Sequence, residues 1–280
     1  MLYLFYYNFN KRIYTMNNVT NKIFDLNADN IRKVSGNTNI SEVFVLETVN
    51  STNLYAKELA QKGAKSGSVV IANHQTAGRG RLGREFYSPE NTGLYMSILL
   101  HNECTILDPS AITIAAGVAV CRAISTTCNK NPQIKWVNDI FLEGKKICGI
   151  LAEAGTESGT LSYIIVGIGL NISTEVFPGE LKSIAGSLNT NVSRSIIAGE
   201  IIKEFFNLMP QCGGQELIDE YKSLSLILGK KISFTKNGET YFGIATDINI
   251  EGNLIVTLDN QETVILKSGE VSLRSETFTK

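Results

Sequence analysis

The chain has 280 residues, more than the ~100–200 usual for one domain, so one sizeable core with a smaller satellite is expected. Hydrophobic residues make up 43% of it and charged residues 19%, with 24 Gly and 5 Pro, which excludes a disordered or collagen-like chain. With 26 Lys plus Arg against 27 Asp plus Glu the formal charge is -1, so no overall field draws the protein onto nucleic acid or anionic membrane, and any basic patch is local.

Residues 1–9 are apolar and aromatic, but Lys11 and Arg12 follow the run instead of preceding it, and Asn8 and Asn10 interrupt it. That is neither a signal peptide nor the ~20 apolar residues of a membrane span. Residues 1–40 are expected to form an amino-terminal extension. Residues 42–47 (EVFVLE) read as a strand and 51–61 as a helix with a hydroxyl-rich start and Gly63 as its stop. A short apolar strand over 68–73 precedes a loop of glycine and arginine at 78–84, and a further strand is expected over 94–101. Asp108-Pro109 is a helix cap followed by a first-turn proline, opening a buried helix over 111–124.

Next come β-prone runs at 133–137, 140–142 and 146–152, the last two on either side of the turn Glu143-Gly144, and another at 163–172. Helices are expected over 194–209 and 215–226. From Gly229 the pattern changes to short β runs at 231–234, 240–248, 253–258 and 263–266, with turn residues between them. The expected fold class is therefore α/β (α+β): a mixed-sheet catalytic domain over 41–228 and a small antiparallel β-barrel over 229–280.

Five cysteines (Cys104, Cys121, Cys128, Cys148, Cys212) without a C-x-x-C pair argue against a disulfide framework or structural zinc, and fit reduced thiols in a cytoplasmic protein. Only His74 and His101 are present, too few for histidine-based metal chemistry.

The most informative stretch is 74–89, HQTAGRGRLGREFYSP, in which Gly78, Gly80 and Gly83 alternate with Arg79, Arg81 and Arg84. Glycine lets backbone approach a ligand closely, and arginine offers planar forks to phosphate or carboxylate oxygens. The stretch formally matches G-x-G-x-x-G, but a dinucleotide loop must open directly into a helix, which Ser88-Pro89 and Asn91-Thr92-Gly93 forbid. An exposed, merely solvated turn is the plain alternative. Three like charges within six residues repel, however, and an anionic ligand would offset them.

A second cluster, KWVNDIFLEGKKICG at 135–149, brings Lys135, Asn138, Asp139 and Lys146 onto a strand, its end and the returning arm of a hairpin. A carboxylate beside an amide holds Mg²⁺ or an amine, and a lysine across the hairpin reaches a phosphate. Alone, Asn138-Asp139 is equally a plain turn and Lys146 a solvated surface charge. Together with the first loop they make one site for phosphoryl or adenylyl transfer, which needs charge neutralisation more than covalent chemistry. P-loop, protein-kinase and G-x-S-x-G signatures are missing from the sequence. Gly167 and Gly169 mark a strand open to close approach, whether by a ligand or by ordinary packing.

These motifs, in this order, together with Ser51-Thr52-Asn53, Gln75 and 269–274 (GEVSLR), resemble the biotin protein ligase family over most of the chain. The resemblance implies that biotin and MgATP give biotinyl-5′-adenylate and pyrophosphate, and that a lysine of a biotin carboxyl carrier protein then takes the biotin. It implies Ser51, Thr52, Asn53 and Gln75 at the ureido head, Gly149 and Ile150 along the hydrocarbon part, and Arg79, Gly80 and Arg81 in a loop closing over the adenylate. Lys146 falls at the carboxylate and α-phosphate, where charge builds up. Arg84, Phe86, Lys135, Asn138, Asn171 and Arg274 fall to the nucleotide, and Asp139 to Mg²⁺ and to the incoming lysine. Val137 stands where the family commonly has proline, and Phe86 where tryptophan is frequent.

ATP, Mg²⁺ and biotin are expected as substrates and metal, with no tightly bound prosthetic group. With 41 residues before Glu42, a separate DNA-binding domain like that of bifunctional members is not expected, nor is membrane association. A homodimer through a sheet edge follows from the resemblance alone. The rival readings are a lipoate or octanoate ligase, which shares the catalytic fold, and a non-catalytic biotin-sensing regulator.

Overall fold

The computed structural model describes residues 25–36, 38–101, 108–157, 160–269 and 271–273. Its elements in chain order are helix α1 (Ala28–Ser35), strand β1 (Val43–Val49), α2 (Thr52–Gln61), β2 (Val69–Gln75), β3 (Gly93–His101) and α3 (Pro109–Cys128). There follow β4 (Gln133–Lys135), β5 (Asp139–Leu142), β6 (Lys145–Glu157), β7 (Thr160–Asn171), α4 (Leu181–Ile184), α5 (Arg194–Leu208) and α6 (Gln215–Ser223). The chain then enters β8 (Lys231–Lys236), β9 (Glu239–Ile248), β10 (Leu254–Leu258), β11 (Thr263–Leu266) and β12 (Val271–Leu273).

Strands β1–β7 form one sheet in the order β1-β2-β3-β7-β6-β5-β4, parallel only between β1 and β2. The two faces divide the core by the period-2 rule. On β2, β3 and β7, Ile71, Met96, Ile98, Val166 and Ile168 face one core with α1, α3, α5 and α6. Val70, Leu99 and Ile165 face a smaller core with Ala56 and Ala60 of α2.

Helix α3 starts as its sequence dictates, with Asp108 capping Ser110 N–H at 2.9 Å and Pro109 in the first turn, and it stops at left-handed Asn129. It is long and apolar enough to cross a bilayer. Its residues from Ile112 to Cys121 and Ala123-Ile124 are buried, however, so its apolar surface is core. Helix α6 ends three residues before the predicted Leu226, because the chain beyond it pairs with β4: Ile134 N–H donates to Leu224 O and Leu226 N–H to Ile134 O.

The carboxy-terminal strands form a five-stranded sheet in the order β11-β10-β9-β8-β12. Adjacent pairs are antiparallel as expected, but the barrel is not closed: among the described residues its end strands β11 and β12 do not pair. This corrects the closed barrel read from strand spacing, since alternation and turns fix strands but not whether the last one returns to the first. The sheet is fastened to the larger domain at Gly252, whose carbonyl accepts Trp136 Nε1–H at 2.9 Å. The left-handed φ of 78° at Gly252 and the nearby Ile114 side chain leave no room there for a Cβ.

Candidate active site

One row of paired residues crosses six strands: Ala72, Tyr95, Gly169, Gly149, Asp139 and Lys135. Directly paired residues of antiparallel strands point to the same face, and Gly169, Gly149, Asp139 and Lys135 of this row line the floor of a cleft. The next row runs Val70, Ser97, Gly167 and Leu151. Two glycines at the centre and one beside them lower the floor, and the cleft above encloses about 320 Å³.

That trough already has occupants. A Cβ at Gly167 would lie 2.2 Å from Asn53 Oδ1, and one at Gly169 would lie 2.6 Å from the Phe86 ring. The expected close approach to this strand is therefore made by Asn53 and Phe86 of the protein itself.

At one end of the cleft the start of α2 meets β2 and β3 in a nearly dry polar network. Thr52 donates to Gln75 Oε1 from its backbone N–H (2.8 Å) and its hydroxyl (3.1 Å). Ser97 donates to Asn53 Oδ1 at 2.6 Å, and its Oγ lies 2.8 Å from Thr52 Oγ1. Gln75 Nε2 donates to Ser88 Oγ at 2.9 Å. Ser51, Thr52, Asn53 and Ser97 are all at most 5% exposed, so unpaired polar atoms there would be costly and the orientations are well determined.

The glycine-arginine loop is not the start of a helix. It turns at Arg81–Gly83, with Leu82 in the left-handed region, and folds back so that Gly80 N–H donates to Arg84 O and Phe86 N–H to Gly78 O, at 2.8 and 2.9 Å. Arg81 Nη1 donates to Asn138 Oδ1 at 2.9 Å, and Arg79 pairs with Glu153 at 3.2 Å. The loop thereby lies across the cleft with guanidinium groups at both ends. Arg84 also lines it.

At the opposite end stands the ion pair Lys146 Nζ–Asp139 Oδ1, 2.7 Å. The hairpin that carries it turns at Glu143 and Gly144, both with positive φ, as that dipeptide predicts. Asn138 is locked by its Nδ2–H to Ile150 O (2.7 Å) and by Ile150 N–H to its own carbonyl (2.9 Å). Lys135 sits 5.7 Å from the Phe141 ring centre. Cys148 is fully buried and burial pushes its thiol up, so it is a neutral core side chain and no nucleophile.

The cleft thus brings together Ser51, Thr52, Asn53, Gln75, Arg79, Gly80, Arg81, Arg84, Phe86, Lys135, Asn138, Asp139, Lys146, Gly149 and Ile150. Asn171 does not line it: the side chain is buried, donates to Gly186 O at 3.1 Å, and leaves Oδ1 without a partner among the described residues. Arg274 lies outside the described residues. Sequence reasoning missed Glu153, Ser97, Leu181 and Ile184. The signal for Glu153 was its period-2 register with Gly149 and Leu151, and that for Ser97 a lone hydroxyl in an apolar strand; nothing local marked the others.

Residues 45–171 match the profile of the Biotin/lipoate A/B protein ligase family, and residues 227–274 that of the Biotin protein ligase C terminal domain. The chain is 33% identical over 228 residues to the Bifunctional ligase/repressor BirA of Bacillus spizizenii, covering 78% of this chain and 69% of that protein. It is 30% identical over 239 residues to the Biotin--[acetyl-CoA-carboxylase] ligase of Mycobacterium tuberculosis, covering 81% and 87%. The solved Aquifex aeolicus biotin protein ligase in complex with biotin and ATP superposes with a TM-score of 0.72 at 26% identity, over 84% of this chain and 99% of that one.

Proposed function

The chain belongs to the biotin/lipoate A/B protein ligase family, and from that premise we infer that it is an ATP-dependent biotin protein ligase, activating biotin as its 5′-adenylate and passing it to a lysine of a biotin carboxyl carrier protein. The observation that carries the biotin reading over lipoate is the match of residues 227–274 to the biotin ligase C-terminal domain, beside a cleft that is polar at one end and cationic at the other.

The polar end suits an uncharged ureido group. Asn53, Thr52 and Gln75 present oriented donors and acceptors, with Gly149 and the backbone of Ile150 along the floor for the hydrocarbon chain, the Ile150 side chain itself packing into the core on the other face. The carboxylate then reaches Lys146. In the first step a carboxylate oxygen attacks the α-phosphorus of ATP, the bond to the β-phosphate oxygen breaks, and pyrophosphate leaves with the electron pair. Lys146, Arg79 and Arg81 offset the charge that gathers there. In the second step the acceptor lysine amine attacks the acyl carbon and AMP leaves. Asp139 takes the proton the amine must lose.

Lys135, Asn138, Arg84, Phe86 and Arg274 serve the nucleotide, whereas Asn171, buried outside the cleft with its amide on Gly186 O, holds the chain behind the site instead of touching the nucleotide. Among the described residues no three His, Cys, Asp or Glu side chains cluster as a metal cage. One carboxylate, Asp139, suits a magnesium that arrives on the triphosphate, where the metal neutralises phosphate charge. A net charge of -1 supports no duplex DNA partner, and β1, an end strand of the seven-stranded sheet among the described residues, suits a homodimer contact. The free thiols of Cys121, Cys128, Cys148 and Cys212 support a cytoplasmic setting.

Pyrophosphate release from MgATP tests the reading: it is expected with biotin and not with lipoate or with neither acid, and release with lipoate alone would move the protein to the sister activity. Gly167→Ala probes the polar end. The new Cβ displaces the Asn53 amide, so the KM for biotin should rise about tenfold or more while the KM for ATP changes little. Equal KM values for biotin in the two proteins would place the head group elsewhere.

A further inference from the structure

Glu153 sits at the junction of the two halves of the site, and no motif contains it. Its Oε2 accepts Asn53 Nδ2–H at 2.7 Å and its Oε1 pairs with Arg79 Nη2 at 3.2 Å. Asn53 is 5% exposed and its other amide atom is taken by Ser97 at 2.6 Å. From Ser97 the chain of polar contacts continues through Thr52 and Gln75 to Ser88, whose hydroxyl donates to Phe86 O at 2.8 Å. Arg79 lies at the start of the glycine-arginine loop and Phe86 just beyond its end, where its N–H meets Gly78 O. The polar chain that begins at one end of that loop therefore returns to the other, and Glu153 is the one carboxylate in it.

We propose that Glu153 is a positioning residue for biotin activation, holding the Asn53 amide for the head group with one oxygen and clamping the loop through Arg79 with the other. The proposal rests on the reading of the site as a biotin ligase. Asn53 needs an acceptor at this position, because an amide N–H buried without one is strongly disfavoured and the amide would turn. Arg79 needs a negative charge, because its neighbours Arg81 and Arg84 repel it. A glutamate supplies both. An amide of the same shape supplies only the first, and a methyl group neither.

The two substitutions therefore separate the roles. Glu153→Ala should raise the KM for biotin in pyrophosphate exchange about tenfold with the KM for ATP within about twofold, whereas Glu153→Gln should leave the KM for biotin within about threefold. Glu153→Gln should instead lower kcat severalfold, as Arg79→Met does, and the double variant should be no slower than either single one, because both break the same pair. A residue that merely stabilised the fold would lower the melting temperature without splitting the two KM values. Trypsin cleavage after Arg81 or Arg84 in ligand-free protein, faster in Glu153→Gln than in the wild type, reads the clamp without any substrate. An unchanged KM for biotin in Glu153→Ala, multiplying effects of Glu153→Gln and Arg79→Met, or unaltered cleavage would each overturn the proposal. Faster cleavage in a protein whose wild type shows no biotin-dependent exchange would support the clamp and sink only the functional reading.

Discussion

Lys146→Ala is expected to lower biotin-dependent pyrophosphate exchange by on the order of 10²–10³, the usual cost of removing one preorganised charge-stabilising donor, with the fold intact. Lys146 projects from β6 at the cationic end of the cleft and its side chain is one-third exposed, so its ion pair with Asp139 contributes little to stability. Its effect falls on the transition state, where charge gathers between the carboxylate and the α-phosphate. The loss should therefore appear mainly in kcat, with the KM for biotin rising only severalfold. Removal also leaves Asp139 bare on the cleft floor beside incoming phosphates, 2.7 Å from where the ammonium stood. Lys146→Arg should not restore the rate, because a planar fork cannot occupy the place of a compact ammonium between two oxygens. A Lys146→Ala variant within tenfold of wild type would place the charge stabilisation on the loop arginines instead.

Asp25→Ala is expected to destabilise the protein by about 3 kcal/mol, at the lower end of the range for breaking one side of a buried ion pair. Arg194, at the start of α5, is 5% exposed and donates from Nε to Asp25 Oδ2 at 2.9 Å and from its backbone N–H to Oδ1 at 3.0 Å. Its Nη1 reaches Asn73 Oδ1 at 2.9 Å and Gly93 O at 3.1 Å. Asn73 donates in turn to Glu47 at 2.7 Å. One guanidinium therefore joins the segment before α1 to α5, β2 and β3. Without Asp25 the remaining partners carry no full charge within this set. Urea unfolding at neutral pH measures the loss, and Asp25→Asn should recover part of it by keeping an acceptor for the helix-start N–H. A change below about 1 kcal/mol would mean that water replaces the carboxylate at no cost.

Much of this fold is written locally. The Asp108-Pro109 start of α3, the Glu143-Gly144 hairpin turn and the alternation along β9 each follow from a backbone rule that acts over a few residues. Helix α1 was missed because it is eight residues long and mostly polar, with Ile31 as its one fully buried apolar side chain. Strand β6 runs past its apolar stretch through Gly155, whose missing side chain makes room for the Tyr163 ring of β7. In the site, the charged and glycine-rich motifs were visible because their chemistry is unusual for their surroundings. Glu153 and Ser97 were not, because their partners lie 100 and 44 residues away, and such contacts exist only once β3, β6 and β7 are side by side. Open or closed pairing of the small sheet is likewise a property of the last strand's destination.

The most direct test of the central claim is to incubate the protein with biotin, MgATP and a purified biotin carboxyl carrier domain, and to follow both the intact mass of the carrier and the AMP released. The account predicts a carrier that gains one biotin for each AMP, and no gain when the acceptor lysine is replaced by arginine or biotin by lipoate. AMP formed with no biotin on the carrier, or lipoate attached in its place, would contradict it.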